Sequence, residues 1–264
     1  MSQWAIISGV TAADAASTVI QRSTDRFTTA VPWLDSHHCF SFGPHYDPDN
    51  THFGLLLVSN DDVVAPGTGF DTHPHRDMEI VTWVLSGSLV HQDSQGNNGV
   101  IYPGLAQRMS AGRGILHSEK NDSWTLTGTP AHCEPVHFIQ MWVIPDAHGI
   151  DPGYEQLDIN TQLDAGGLVV VASGLEQHRN DRAIRIRQSQ AGLLAARLQV
   201  GERLVLPDAP FLHVFVADGE VAIEGGQHLT AGDACRLRDS GGIRVTAGAT
   251  GAEILVWQMY AELG

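Results

Sequence analysis

The hydrophobic positions of this chain come in short runs separated by turn residues, a pattern typical of β-strands. In EIVTWVLSGSLVHQD, two apolar runs flank Ser86-Gly87, a pair that favours a tight turn. VHFIQMWVIP alternates with period two and puts His137, Ile139 and Met141 on one face. The 28 glycines and 12 prolines are spread among such runs. The pattern predicts an all-β protein.

The second half of the chain repeats the pattern of the first. HVFVADGEVAIEGGQHLTAGDACRL echoes TWVLSGSLVHQDSQGNNGVIYPGLAQRM, because each has a strand, a glycine turn, a second strand, a polar turn and a Pro/Ala-Gly step. The composition shifts in DAHGIDPGYEQLDINTQLDAGG, which we interpret as a linker. We predict an N-terminal domain over 1–148 and a C-terminal domain over 149–264, with a weak helical segment from Thr11 to Ile20.

Composition and charge exclude several classes of function. The formal charge is −15 and no segment concentrates Lys or Arg, so direct binding of nucleic acid is not expected. No apolar run approaches the roughly 18 residues of a membrane span, and the first residues lack the pattern of a signal peptide. Cys39, Cys133 and Cys235 are far apart and odd in number, unlike a disulfide framework. We expect a soluble cytoplasmic protein.

Two short clusters carry candidate metal ligands. They are His73-Pro-His75 and His117-Ser-Glu119, and each pair has the i, i+2 spacing. Alternate side chains of a strand point to the same face, so both members of a pair would project from one side of a sheet. Three imidazoles and one carboxylate suit a divalent transition ion, whereas magnesium or calcium would require mostly oxygen ligands. The spacing predicts a metal site in the N-terminal domain.

The ordered blocks around these clusters resemble the pirin family. They are WLDSHHCFSFG, VAPGTGFDTHPHRDMEIVTWVLSGSLVHQDS, GNNGVIYPGLAQRMSAGRGILHSE and EPVHFIQMWVIP, with PGYEQ beyond. The resemblance implies two stacked cupin barrels (double-stranded β-helix or jelly-roll folds) in one chain, with metal only in the first. By resemblance the ligands are His73, His75, His117 and Glu119. The metal is usually iron, with copper, nickel, manganese, cobalt and zinc as alternatives.

A second carboxylate competes with Glu119. The general cupin motif is met by Gly67, His73, His75 and Glu79, although its closing glycine, Gly87, is one residue late. In most cupins the glutamate of this motif is the ligand. Glu79 shares the parity of the two histidines if the strand stays regular, so the sequence permits either carboxylate. Usage in pirins favours Glu119, and the other glutamate would then support a ligating imidazole.

Other residues have structural interpretations first. His137 is a candidate for lining the pocket if its strand faces the barrel interior. The remaining histidines that we interpret as structural are His37, His38, His45, His52, His91 and His132. The core candidates are Phe40, Phe42, Trp83, Met141 and Trp142, and Cys39 is expected to be a buried neutral thiol.

The resemblance implies a metal-dependent dioxygenase that opens the ring of flavonols such as quercetin with O2 and releases carbon monoxide. Its substrates would be a small aromatic molecule and O2, and Glu119 would act as the general base for the 3-hydroxyl proton. The alternative, also known among pirins, is a non-enzymatic metal-bound regulator that binds transcription factors or metabolic enzymes. An open cavity with apolar walls beside the ion would favour catalysis, and a sealed ion under a flat charged surface would favour regulation.

Overall fold

The computed structural model describes residues 17–121 and 133–264, which form twenty strands and one short α-helix. The first twelve strands in chain order are β1 (Ser17–Gln21), β2 (Phe27–Val31), β3 (Leu34–His38), β4 (Leu56–Val64), β5 (Thr68–His75), β6 (Glu79–Ser86), β7 (Leu89–Asp93), β8 (Asn98–Ile101), β9 (Leu105–Ser110), β10 (Ile115–Asn121), β11 (Val136–Val143) and β12 (Gly153–Asp158). Helix α1 (Asn160–Asp164) precedes β13 (Val169–Ser173), β14 (Ile184–Arg185), β15 (Ala191–Leu198), β16 (Arg203–Val205), β17 (Phe211–Ile223), β18 (Gln227–Thr230), β19 (Ala234–Arg238) and β20 (Arg244–Met259). Among the described residues, no helix has the length and apolar character needed to cross a membrane.

These strands build two barrels, as the repeat pattern predicts. The first barrel has a seven-stranded sheet, in the order β12-β9-β6-β11-β4-β3-β2, and a four-stranded sheet, in the order β5-β10-β7-β8. The second has the order β1-β19-β17-β20-β15-β13-β14, with β16 added along β20 and β18 along β17. The predicted all-β architecture of two barrels is confirmed.

Two strands pair across the predicted domain boundary at residue 148. Strand β1 pairs with β19 of the second barrel, and β12 pairs with β9 of the first. Residues 17–20 belong to β1, so the predicted helix does not extend over them, and the rest of that segment lies outside the described residues. The second barrel therefore contains one strand from the predicted N-terminal domain, and the first barrel contains one strand from the predicted C-terminal domain.

Polar side chains line the interior of the first barrel. Gln140 of β11 lies directly opposite Asn60 of β4 on one side and Thr82 of β6 on the other. Residues that are opposite one another share a face of the sheet, and all three are buried. The second barrel is filled instead by aliphatic side chains, among them Leu194, Val214, Val216, Leu229, Val245 and Ile254. Among the described residues, the buried polar side chains around Gln140 thus distinguish the interior of the first barrel from the aliphatic cluster of the second.

The outer face of the same sheet forms the contact between the barrels. Trp83 and Met141 of the first barrel belong to one apolar cluster with Leu255 and Trp257 of the second. The Trp257 indole N–H lies 3.2 Å from the Met141 sulfur, and the Trp83 indole N–H donates to Glu253 at 2.6 Å. The two barrels share a core, which fixes the sheet that carries Gln140.

Candidate metal centre

Three imidazoles meet at the pairing of β5 with β10. His117 lies directly opposite His73 in the ladder, and His75 follows two residues later on the same strand as His73. The ring centroids are 4.4 Å apart for His73 and His117, 4.8 Å for His73 and His75, and 4.9 Å for His75 and His117. One ligand nitrogen from each ring lies within 4.8 Å of the others. The i, i+2 spacing therefore brings these side chains together.

The nitrogen atoms of this cluster are available to a metal. His73 Nδ1 donates to the backbone carbonyl of Asp71 at 2.7 Å, which leaves its Nε2 without the proton. The Nε2 atoms of His75 and His117 are buried with no hydrogen-bond partner among the described residues. Burial and then the neighbouring imidazoles lower the pKa of His75 to about 4 and that of His117 to about 3, so both rings are neutral at pH 7. Neutral, unpartnered imidazoles fit a divalent transition ion.

Glu119 is buried beside His117. Its Oε2 accepts a hydrogen bond from the Gln140 side-chain amide at 2.7 Å, and its Oε1 accepts a longer one from the Thr82 hydroxyl at 3.4 Å. Ligand atoms of Glu119, His117 and His91 lie within 4.8 Å of one another. Glu119 thus joins the imidazole cluster through His117, and its role as a fourth ligand stays a prediction.

Glu79 lies elsewhere, because the strand does not stay regular. Strand β5 ends at His75, the chain turns through Asp77 with φ of +47°, and Glu79 begins β6 in the other sheet. Its Oε2 accepts from the Ser110 hydroxyl at 2.9 Å and from the Arg187 backbone N–H at 3.1 Å. Among the described residues it belongs to neither group of potential metal ligands. The turn removes the shared parity that makes Glu79 a competitor in the sequence.

Sequence reasoning missed Gln140, the main partner of Glu119. The Gln140 carbonyl oxygen accepts from the Trp142 indole N–H at 3.1 Å, and the Trp142 ring packs edge-on against His75 at 4.9 Å. The signal was present in the period-two pattern of β11, where Gln140 and Trp142 share a face. The sequence instead offered His137, which lies on the other face of β11 and pairs there with Asp61 at 2.6 Å, so its predicted role in lining the pocket is wrong.

His91 is also part of the centre, although its sequence suggested only a structural role. It lies on β7, the neighbour of β10, and is fully buried. Its ring stacks on Tyr154 with centroids 4.6 Å apart and an angle of 24°. Its Nδ1 lies 3.5 Å from Nδ1 of His117, and its Nε2 lies 3.3 Å from Asp93 Oδ2. A lone histidine in a strand carries no spacing signal that would have identified it.

Two open clefts flank the histidine cluster. One, of about 460 Å³, is lined by His73 with Trp33, Phe70 and Lys120, and Trp33 packs edge-on against Phe70 at 5.2 Å. The other, of about 430 Å³, is lined by His75 and Leu116 among other residues. His73 and His75 are only partly buried. Each cleft thus reaches one histidine of the cluster beside apolar side chains.

The other predicted structural residues are placed as follows. Phe40, Trp83, Met141 and the Cys39 thiol are buried, as expected. Phe42 and Trp142 are only partly buried, and His132 lies outside the described residues. None of the three cysteines forms a disulfide bond. In the described part of the second barrel, no group of three or more potential metal ligands occurs.

Known proteins match both barrels. The family model described as Pirin matches residues 20–143, and the model described as the quercetinase C-terminal cupin domain matches residues 170–259. A Mycobacterium bovis protein named "Putative quercetin 2,3-dioxygenase" is 57% identical, with 94% of this chain and 98% of the relative covered. The chain belongs to the pirin family. The predicted resemblance is confirmed.

Other pirin relatives agree in sequence and in fold. The Escherichia coli K12 protein named quercetin 2,3-dioxygenase is 47% identical, over 52% of this chain and 56% of its own length. The solved structure of the bacterial pirin YhhW from Escherichia coli in complex with nickel(II) has a TM-score of 0.81 and 34% identity, and covers 93% of this chain and 100% of that one. The two-cupin fold of pirins is thus the fold of this chain.

Proposed function

We propose that this pirin is a metal-dependent dioxygenase that opens flavonols such as quercetin with O2 and releases carbon monoxide. The observation that carries the proposal is the cluster of the imidazoles of His73, His75 and His117, with the carboxylate of Glu119 fixed beside it. The names of the relatives support the same reaction. The clefts beside the cluster favour a small substrate over a sealed regulatory ion.

The metal would be held by His73, His75, His117 and Glu119. A bound divalent ion would supply the Lewis-acid and redox chemistry that the reaction with O2 requires. Iron is our first choice, and the nickel(II) complex of the Escherichia coli relative supports nickel as an alternative. Copper, manganese, cobalt and zinc are further alternatives for the same donor set.

Glu119 would accept the 3-hydroxyl proton of the flavonol. Gln140 donates a short hydrogen bond to its Oε2, whereas among the described residues only the long contact from Thr82 engages its Oε1. Oε1 is therefore the oxygen with more capacity to take a proton. Because the Trp142 indole N–H donates to the Gln140 carbonyl oxygen, the amide of Gln140 is held with its N–H toward Glu119.

An aromatic substrate would enter along the cleft beside His73. Trp33 and Phe70 form an apolar aromatic wall there, against which a flat ring can pack. Lys120 lines the same cleft and forms an ion pair with Asp71, which puts a cation near the entrance. This chemistry suits a polyphenol that has flat rings and acidic hydroxyl groups.

Metal reconstitution tests the reaction. Metal-free protein is loaded with iron, copper, nickel, manganese, cobalt or zinc in turn, and incubated in air with quercetin while carbon monoxide is measured. We expect turnover with at least one ion and none with the metal-free protein. Bound metal without carbon monoxide for every ion would contradict the dioxygenase and leave the regulatory protein as the better account.

Substitution of single ligands tests the donor set. His75→Ala and Glu119→Ala should each lower the bound metal per protein and abolish carbon monoxide release. Glu79→Gln serves as the matched control, because Glu79 is an equally buried carboxylate that bonds to Ser110 and Arg187 instead. Metal analysis of the purified variants gives the result. Loss of metal from Glu79→Gln but not from Glu119→Ala would transfer the carboxylate role to Glu79.

A further inference from the structure

A series of hydrogen-bonding polar groups leads away from His117 toward β7. His117 Nδ1 lies 3.5 Å from His91 Nδ1, and His91 Nε2 lies 3.3 Å from Asp93 Oδ2. The side chains of His91 and Asp93 are both 0% exposed. The stacked ring of Tyr154 holds the imidazole plane of His91 in this orientation. Asp93 is the last member of this series of polar groups, and it determines which group donates in each hydrogen bond.

Asp93 is fixed as a hydrogen-bond acceptor by the turn that follows β7. Its Oδ1 accepts from the backbone N–H groups of Gln95 and Asn97 at 2.8 and 3.0 Å, and its Oδ2 accepts from the Asn97 side-chain amide at 2.9 Å. Three N–H donors thus face its two oxygens, and such hydrogen bonds favour the ionised carboxylate. An ionised carboxylate has no proton to donate.

The positions of the protons then follow. Because Asp93 only accepts, the Nε2 of His91 carries a proton and donates it. A neutral His91 consequently has a bare Nδ1, which accepts a hydrogen bond. His117 must then carry its proton on Nδ1, so its Nε2, the buried atom without a partner, keeps its lone pair.

We infer that Asp93 acts through His91 as a positioning residue that selects the metal-binding tautomer of His117. The inference rests on the proposed metal site, and it deepens that site by assigning the groups behind one ligand. Such outer partners orient a ligating imidazole and raise its basicity. Both nitrogen atoms of His91 have partners, Nδ1 with His117 and Nε2 with Asp93. His91 therefore positions His117 and is not itself a metal ligand.

Asp93→Asn tests the direction of the hydrogen bonds from His117 through His91 to Asp93. The Asn Oδ1 can still accept from Gln95 and Asn97, but its amide N–H would face His91 Nε2 and donate to it. The tautomer of His91 would reverse, and His117 would receive a hydrogen bond at Nδ1 and carry its proton on Nε2. We expect metal affinity to fall by about 10–100-fold with the fold retained. Asp158→Asn is the matched control, because Asp158 also accepts from a backbone N–H two residues later, that of Asn160.

A pair of variants at His91 separates positioning from packing. In His91→Gln the amide can accept from His117 and donate to Asp93, so we expect metal affinity close to that of the wild type. His91→Leu fills similar space but can do neither, so its affinity should fall as in Asp93→Asn. If Asp93→Asn fails to fold, the comparison of these two variants carries the test. Equal metal affinity for His91→Gln and His91→Leu would overturn the inference.

The decisive readout uses the metal-free protein. Imidazole ¹⁵N signals in NMR report which nitrogen carries the proton, and we expect His117 to be protonated at Nδ1 in the wild type and at Nε2 in Asp93→Asn. A wild-type His117 protonated at Nε2 would overturn the inference even if the protein binds metal. Absence of metal binding by the wild type with the expected tautomer would instead contradict the proposed function.

Discussion

At the scale of single residues, Gln140 is the group on which the state of Glu119 depends most. It donates the shortest hydrogen bond that the carboxylate receives, and the Trp142 indole fixes which end of the amide faces Glu119. Both Gln140 and Glu119 are buried, with 8% and 2% of their surface exposed. A buried carboxylate that loses such a donor cannot recover it from water.

Gln140→Leu should therefore destabilise the metal-free protein. The change removes a charge-assisted hydrogen bond and leaves the carboxylate of Glu119 with only the long contact from Thr82, so we expect a loss of about 2 kcal/mol in the free energy of unfolding. Urea denaturation at pH 7 measures it. Gln156→Leu is the control, since the Gln156 amide donates only to the Val100 carbonyl oxygen at 3.3 Å. Equal losses for the two variants would show that the bond to Glu119 contributes nothing particular.

The residues of the candidate site differ in how clearly the sequence predicts their roles. His73, His75, His117 and Glu119 come in i, i+2 pairs, and this spacing needs only an extended backbone to bring the members of a pair to one face. Gln140 and His91 act through partners on other strands, so no local spacing marks them. Their roles depend on which face of each strand is interior, and that is decided by the packing of the two barrels.

At the scale of elements, the corner between β5 and β6 decides between the two glutamates. A regular strand through Asp77 would carry Glu79 to the face of His73 and His75. The positive φ of Asp77 instead moves the chain into the other sheet, where Glu79 faces the seam between the barrels. Sequence parity is reliable within a strand but not across a turn, which is why the sequence left both carboxylates open.

Gly69 permits the close approach of β5 to β10 beside Glu119. Its φ is +150°, and a Cβ atom there would lie 2.3 Å from the backbone carbonyl oxygen of Glu119. The register of the two strands shifts in this region, because His117 is opposite His73 but Glu119 is opposite Phe70. A side chain at residue 69 would have to push the strands apart beside the histidine cluster.

Gly69→Ala should therefore disturb the metal site as well as the fold. We expect a loss of about 1–3 kcal/mol in the free energy of unfolding, together with reduced metal per protein, as β5 moves away from β10. Gly67→Ala is the matched control, since Gly67 also has a positive φ, +69°, but no atom lies within 4 Å of the added Cβ. Denaturation and metal analysis of both variants measure the difference. Similar metal content in the two variants would rule out a steric role for Gly69.

At the scale of the whole molecule, the two barrels differ in their interiors and share one apolar cluster. The repeat was visible in the sequence, and the resemblance to pirins implied metal only in the first copy. The exchange of β1 and β12 was not visible, because it depends on pairing between distant segments. With a shared apolar cluster and an exchanged strand at each side, we expect unfolding of either barrel to expose the core of the other.

His213 lies in this seam, and its Nε2 has no compensating partner in the part of the chain that the structure describes. It is 1% exposed, its Nε2 has no hydrogen-bond partner among the described residues, and its ring lies 5.7 Å from that of Phe40 in the first half of the chain. Arg236 is directly opposite it in the ladder and binds the Cys39 carbonyl oxygen at 2.9 Å. Burial and then the charge of Arg236 lower the pKa of His213 from 6.5 to about 3.

This burial predicts a specific loss of stability in acid. The folded protein keeps His213 neutral down to about pH 3, whereas the unfolded chain protonates it below about pH 6.5. The unfolded state binds more protons in that window, so stability falls as the pH decreases through it, by up to about 1.4 kcal/mol per pH unit from this residue. His213→Leu should remove that contribution. Urea denaturation of the metal-free protein between pH 7 and 4 measures the slope, with His228→Leu, an exposed histidine of the same barrel, as the control. If His213→Leu and the wild type lose stability with the same slope, the seam already accepts the charge and His213 is not the buried neutral group described above.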